Sequence, residues 1–475
     1  MLPTGSGKSL CFLLPSLVLK GVTLVVVPLL SLLQDQIKRL ENINVGAGVI
    51  RGGQSPGERE QIFAHLRKGG KPLLYVTPEA LLSQSLKKPL KDLMIAHMVV
   101  DEAHCISEWG PGFRPDYLKI GQVAEELKIP ILSAFTATAS ERVLADIREA
   151  LFGGRMVSRV IDTPDRPNIS YSVIPVISTA RALSRLVKEE KRPMLVFSRT
   201  RKGAEACARY LIEKIPEEKV LFYHAGLDLN ERNNVEAWFM GSDSAILTAT
   251  SAYGMGIDKA DIRTIIHVDL PRSIESYLQQ SGRGGRDGKP ARSILFYSIP
   301  DARDLLIGIE GNKGHSILER ERCRQIVEYA GVFNPVEGEW LRTEQCRRAK
   351  LLSILDKEEV VCSGCDVCGG EAVTVPEGFT EILSLVKRYK RLFTVRELAL
   401  ILAGRRNSDS LRRGFERLDG FGILKEWDDI AIDMAISAMV RSGSLTVLER
   451  GFRRYRVIPG RGFGSLSGNK ARSMP

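Results

Sequence analysis

The sequence predicts an α/β protein: two parallel-sheet lobes, then a helical cysteine-bearing module and a small basic domain. Three observations carry this. Short β-branched and apolar runs alternate with helix-length segments through the first 300 residues, the pattern of βαβ units. The strand signal stops near Ala302. Cys346, Cys362, Cys365 and Cys368 then crowd into 23 positions. At 475 residues the chain is too long for one domain, and ~150 residues per domain gives about three.

In chain order, the first strands are expected at Val22 to Val27, Leu73 to Val76, Met98 to Val100 and Ile131 to Ala134. The segment Asp162-Thr-Pro-Asp-Arg-Pro-Asn168 joins two prolines to turn formers and should separate the lobes. The second series is Met194 to Phe197, Val220 to Tyr223, Ala245 to Thr248, Thr264 to His267 and Ser293 to Tyr297. A helical stretch leads into the cysteine cluster. After Pro376 come short helices and a hairpin over Ser444 to Ile458. The expected boundaries are 1–165, 166–301, 302–375 and 376–475.

Composition narrows the function classes. The chain is 44% hydrophobic and 26% charged, with no low-complexity tract or short repeat. Its longest apolar stretch, Val22 to Leu33, is broken by Pro28 and falls short of the ~18 residues of a membrane span. Lys8 and the run Leu10 to Leu19 imitate a secretion signal but lack a cleavage site, so a cytoplasmic protein without membrane contact is expected. The net charge is +11. Residues 376–475 hold 19 Lys and Arg against 11 Asp and Glu, and a basic end on a near-neutral body suits nucleic acid. A merely solvated basic surface is the alternative.

The eight cysteines form two groups. Cys11, Cys105, Cys207 and Cys323 are scattered and are expected as small buried residues. The other four suit a closed tetrahedral zinc site, with Cys346 supplied by a helix and Cys362, Cys365 and Cys368 by a tight loop. An iron–sulfur cluster is the rival, although the Cys-Pro that usually follows such runs is absent.

Thr4-Gly5-Ser6-Gly7-Lys8-Ser9 reads as a phosphate loop. Its glycines let backbone N–H groups turn toward phosphate oxygens, Lys8 reaches the β- and γ-phosphates, and the Ser9 hydroxyl sits on Mg²⁺. Leu2 stands where the stricter pattern has its first glycine, so the loop alone leaves an ordinary glycine-rich turn open. The buried run Met98-Val-Val ends in Asp101-Glu102-Ala-His104. There Asp101 can hold Mg²⁺ through water and Glu102 can orient and activate an attacking water. Downstream, Gln279-Gln-Ser-Gly-Arg283-Gly-Gly-Arg286-Asp offers two arginines, expected on one helix face, that can stabilise γ-phosphate charge. The glycine-rich run Thr248 to Lys259, with Asp258, lets backbone approach a nucleotide or a DNA phosphate. His224 and His267 are expected in structural roles.

These segments resemble, in order, the motifs of superfamily 2 helicases and specifically the RecQ family. The resemblance covers nearly the whole chain, including Pro28-Leu-Leu-Ser31, Gln34-Asp-Gln36, Thr77-Pro-Glu79 and Thr136-Ala-Thr138. The most family-specific piece is Cys105-Ile-Ser-Glu-Trp109-Gly-Pro-Gly-Phe113-Arg114-Pro-Asp-Tyr117. It is similar to the aromatic-rich loop that senses single-stranded DNA and couples it to ATP hydrolysis. Trp109 and Phe113 would stack on bases and Arg114 would meet a phosphate or stack; membership of the core is their alternative. Pro111-Gly112 replaces the family's usual His-Asp pair, a departure that bears on the strength of this coupling.

The resemblance implies two RecA-like lobes, a zinc module and a winged helix whose basic face, with Arg405 and Arg406, grips duplex phosphates. It implies a monomeric, DNA-stimulated ATPase using ATP, Mg²⁺ and Zn²⁺, which tracks 3′→5′ along single-stranded DNA and unwinds duplex DNA in repair and recombination. An RNA helicase and a catalytically weakened DNA-binding remnant are the rivals. Thr4 lies only four residues from the start, so the strand that delivers the loop and the adenine-reading segment before it are expected upstream of Met1. Without that strand, two inner strands of the first sheet would stand unpaired.

Overall fold

The computed structural model describes residues 1, 7–28, 37, 40, 45–51, 53–69, 72–108, 115–136, 139–162, 165–253, 259–310, 317–331, 333–334, 339–340, 345–355, 361–448 and 456–460. Two parallel sheets organise the first 300 residues. The first contains β1 (Val22–Val26), β2 (Ala47–Ile50), β3 (Leu73–Val76), β4 (Ile95–Val100) and β5 (Leu132–Ala134), in the order β2-β3-β1-β4-β5. All its pairings are parallel. Every residue of β1 and β3 is buried, because helices cover both faces of a parallel sheet.

The second sheet has six parallel strands in the order β6-β11-β10-β7-β9-β8. They are β6 (Ile169–Pro175), β7 (Met194–Phe197), β8 (Val220–Tyr223), β9 (Ile246–Ala249), β10 (Thr264–His267) and β11 (Ala291–Tyr297). Both lobes are therefore RecA-like α/β layers, as expected. Two strands of these sheets went unforeseen: β2, a four-residue run containing a glycine, and β6, which follows directly on the prolines of the junction.

Among the described residues the expected gap between inner strands of the first sheet is not present. β1 pairs directly with both β3 and β4, and half-buried β5 takes the edge beside β4. The inner strands are paired because the strand carrying the acidic pair is itself the neighbour of β1, which leaves β2 and β5 at the edges.

The module after lobe 2 begins with the helices Ile299–Glu310 and Ile317–Ala330. Against the expected purely helical stretch, a short antiparallel pair follows, β12 (Phe333–Asn334) and β13 (Glu339–Trp340), too brief to show as a strand pattern, and then the helix Arg347–Ser353. The last domain has the helices Phe379–Arg388, Val395–Leu402 and Asp429–Arg441, closed by antiparallel β14 (Leu445–Val447) and β15 (Val457–Pro459). This is the helix-plus-hairpin form of a winged helix; the hairpin tip lies outside the described residues.

One hydrophobic cluster runs from Leu183, Leu186 and Val187 of lobe 2 into Ile382, Trp427 and Ile436 of that domain. Glu377 accepts hydrogen bonds from Arg181 at 2.9 Å and from Arg185 at 3.0 Å across this seam, and the Tyr210 hydroxyl donates to Asp428 at 2.6 Å. Among the described residues no helix is long and apolar enough to cross a membrane.

Candidate functional site

Gly7 takes a positive φ of 84°, and the Leu10 N–H closes the turn on the Gly7 carbonyl at 2.9 Å. The chain then enters the helix Leu10–Val18 with Ser9 at its N-cap. Thr4, Gly5 and Ser6 lie outside the described residues.

The acidic pair stands where β4 ends. The Asp101 N–H still donates to the Val26 carbonyl at 2.9 Å, so the sheet ladder reaches it, whereas Glu102 turns out with φ 48°. That left-handed backbone is costly for a residue with a side chain and is typical of functional turns. The Asp101 side chain is buried, and its Oδ1 accepts from the Glu102 N–H at 2.9 Å. Burial and the neighbouring Glu102 carboxylate push the Asp101 carboxyl up to about 7, against the pull of Lys8. For Glu102, burial alone raises the carboxyl. The positive charges of Lys8, His104, Arg283 and Arg286 outweigh it and hold the group below its ordinary value. Glu102 thus sits in a positive field drawn from both lobes.

His104, which has no assigned role from its sequence position, belongs to the site. Its Nδ1 lies 3.4 Å from Glu102 Oε2 and 3.1 Å from the Thr136 hydroxyl, so it ties the acidic turn to the end of β5. The signal is present, since both are polar residues within a few positions of strand ends.

Arg283 and Arg286 come from the second lobe, but not on a helix face. The helix Ile274–Ser281 ends before them, and both lie in turns because Gly282, Gly284 and Gly285 interrupt it. These glycines have packing reasons. Gly285 has φ 54°, and a Cβ there would meet Asn168 and the Lys289 carbonyl at 2.5 Å each. Arg166 donates to the Gly282 carbonyl at 3.0 Å and to the Gly285 carbonyl at 2.8 Å, and Asn168 donates to Gly285 at 2.7 Å. The junction between the lobes therefore buttresses the arginine turn. Arg283 is buried. Asp258 lies outside the described residues, as do Trp109, Phe113 and Arg114.

His267 and His224 have structural partners, with Nε2 of His267 2.9 Å from Gln280 and Nε2 of His224 2.9 Å from Glu205. Of the scattered cysteines, Cys105 and Cys323 are buried and Cys207 half-buried. Cys11 is exposed, against expectation, because it faces outward from the first helix.

The four clustered cysteines converge. Their sulfurs all lie within 4.8 Å of one another, and Cys346 Sγ is 4.0 Å from Cys365 Sγ. Metal–sulfur bonds of about 2.3 Å in a tetrahedron set sulfurs about 3.8 Å apart, so the donor set fits one ion. Cys346 occupies the N-cap of the helix Arg347–Ser353, and the other three occupy the loop. Burial raises the Cys365 thiol, but the Cys368 and Arg347 backbone N–H groups and the neighbouring thiols reverse this and bring it down to about 7. The loop also lies along the open edge of β6, where Asp366 N–H donates to the Tyr171 carbonyl at 3.0 Å.

In the last domain Arg405 and Arg406 are exposed at the end of the helix Val395–Leu402, and Arg405 lies 3.5 Å from Asp429.

Family models match in the same order. A DEAD/DEAH box helicase model matches residues 1–147, a helicase conserved C-terminal domain 178–288, and an RQC domain 373–470. The chain is 33% identical to the ATP-dependent DNA helicase RecQ of Bacillus subtilis, over 90% of this chain and 71% of that protein. It is 33% identical to the ATP-dependent DNA helicase hus2/rqh1 of Schizosaccharomyces pombe, over 97% of this chain and 36% of that protein. The chain thus spans about a third of the fission-yeast relative and about two thirds of the bacterial RecQ proteins it matches. In fold it is similar to Mycobacterium smegmatis helicase Lhr bound to single-stranded DNA and AMP-PNP, with a TM-score of 0.52 and 21% identity over 82% of this chain and 53% of that one.

Proposed function

This chain belongs to the RecQ family of superfamily 2 helicases, and on that premise we propose that it is an ATP-driven DNA helicase that tracks 3′→5′ and separates duplex DNA in repair and recombination. The observation that carries the reading is the Glu102 carboxylate, half-buried just past the end of β4 and held charged by Lys8 and His104 from one lobe and Arg283 and Arg286 from the other. A carboxylate kept ionised inside a cleft is suited to orienting a water for attack on a γ-phosphate.

In this reading Lys8 draws the β- and γ-phosphates, and the loop residues Thr4, Gly5, Ser6 and Gly7 cradle them with backbone N–H groups. Ser9 and Asp101 would hold a magnesium ion, which offsets phosphate charge when bound. Arg283 and Arg286 place positive charge where negative charge builds in the transition state, and Asp258 lines the nucleotide from the second lobe. Trp109, Phe113 and Arg114 contact single-stranded DNA, while Arg405 and Arg406 meet duplex phosphates. Cys346, Cys362, Cys365 and Cys368 would hold zinc, which locks the loop when bound. Zinc fits better than a multi-iron cluster, which would hold its thiolates farther apart than one ion does. The protein acts as a monomer in the cytoplasm.

ATP hydrolysis with no nucleic acid, with single-stranded DNA and with RNA of the same sequence tests this. DNA should stimulate turnover well above RNA. Equal or greater stimulation by RNA favours an RNA helicase, and DNA binding without turnover favours the weakened remnant.

A further inference from the structure

Arg322 lies outside the site described above, on the helix Ile317–Ala330 of the module after lobe 2, yet it touches both lobes. Its Nη2 donates to the Ser107 hydroxyl of lobe 1 at 3.2 Å, and its Nε lies 3.5 Å from Glu275 Oε1 of lobe 2. The Ser107 hydroxyl spends its one hydrogen on Asp146 Oδ2 at 2.7 Å, so it can only accept from Arg322. The Arg322 and Glu275 side chains are 9% and 6% exposed, so neither charge has water to fall back on.

The two ends of this bridge are placed pointedly. Ser107 sits on the short helix Cys105–Glu108, which is separated by two residues from the acidic pair Asp101 and Glu102. Glu275 sits in the first turn of the helix Ile274–Ser281, which delivers Arg283 and Arg286. A hydrogen bond of 3.2 Å is lost when its partners separate by about 1 Å, so the bridge exists only in one register of the two lobes.

We propose that Arg322 is a positioning residue that sets the Asp101–Glu102 turn against the Arg283–Arg286 turn, and so governs how fast bound ATP is hydrolysed. The proposal rests on the ATP-hydrolysis reading above. It acts through the scaffolds of both turns and touches no substrate.

The test uses the full chain, Arg322→Gln, Ser107→Ala and the double variant, each with ATP and a saturating oligo-dT. Three quantities are read: kcat, the affinity for AMP-PNP, and the affinity for ADP–aluminium fluoride, which imitates the transition state. Either single change should lower kcat and ADP–aluminium fluoride affinity about 5- to 10-fold while AMP-PNP affinity stays within about twofold. The double variant should be no worse than the weaker single one, since both remove one bridge. Rates within about twofold of the unaltered chain in both single variants would overturn the proposal. So would parallel loss of both affinities with a lowered melting temperature, which marks mere packing. Should Arg322→Gln fail to fold, Ser107→Ala, which deletes a single oxygen, decides alone. Absence of turnover in the unaltered chain would overturn the hydrolysis reading itself, and this inference with it.

Discussion

Nε of Arg347 lies 3.2 Å from Oδ1 of Asp366, with side-chain exposures of only 3% and 4%. Asp366 also accepts from the Val173 N–H of β6 at 3.0 Å, and Arg347 donates to the Tyr329 carbonyl at 2.9 Å. The pair fastens the residue after Cys365 and the residue after Cys346 to each other and to the second sheet. Removing one partner of such a buried pair costs about 3–5 kcal/mol, because it strands the other charge. Asp366→Ala should therefore destabilise the chain by that order in urea unfolding. A change under about 1 kcal/mol would show that the pair is dispensable.

Elemental analysis should find about one zinc per chain. Structural zinc contributes apparent binding free energy on the order of 10 kcal/mol, so Cys365→Ser should lose both the metal and the ordered module between motor and winged helix. Circular dichroism and limited proteolysis read the second effect. Iron in place of zinc would overturn the assignment.

His267 is buried against Phe197 and Tyr277, with ring centroids 5.3 and 4.9 Å away. Burial lowers its imidazole to about 3, against the hydrogen bond to Gln280. The sign follows from linkage. The folded His267 stays neutral below pH 6.5 while the unfolded one takes up a proton, so stability is full above 6.5 and falls as pH drops toward 3. Each pH unit in that window costs up to about 1.4 kcal/mol. Asp269 pulls the other way, since burial and Asp301 push its carboxyl up to about 6. Comparison with His267→Phe isolates the histidine: the wild-type chain should lose about 2–3 kcal/mol more than the variant between pH 6.5 and 4.5. Identical pH profiles would show that the imidazole is not held neutral.

Arg405 and Arg406 are exposed, with Arg405 in a solvent-facing ion pair with Asp429 that a phosphate can replace. Each phosphate contact contributes roughly 0.9 to the slope of log binding constant against log salt on duplex DNA. Changing both to Ala should lower that slope by about 2 and weaken binding at low salt about equally across sequences. An unchanged slope would place the duplex elsewhere.

Local patterns in the sequence suffice for all but one strand of each sheet, for the acidic pair, the cysteine cluster and the hairpin, because each is encoded within a few neighbouring residues. What could not be read locally is long-range. Arg283 and Arg286 look helical from their spacing, but their glycines answer to Asn168 and Lys289, which pack against Gly285. The roles of Arg347 and Asp366 depend on β6, nearly 200 residues away, and no periodicity signals that contact. β2 escaped notice because Gly48 leaves it little strand character; a Cβ there would meet Ile62 at 2.8 Å. The exposed side of Cys11 was invisible for a related reason: the helix Leu10–Val18 is apolar almost all round, so its pattern does not reveal its buried face.

The most direct test of the central claim is strand separation from a 3′-tailed DNA duplex, followed with ATP for the unaltered chain and for Glu102→Gln. The account predicts ATP-dependent unwinding by the first. In the second, ATP turnover should fall at least ~100-fold while DNA binding stays nearly unchanged, because only the water-orienting carboxylate is lost. Undiminished turnover by Glu102→Gln, or a folded unaltered chain that binds DNA and never separates it with ATP, would contradict it.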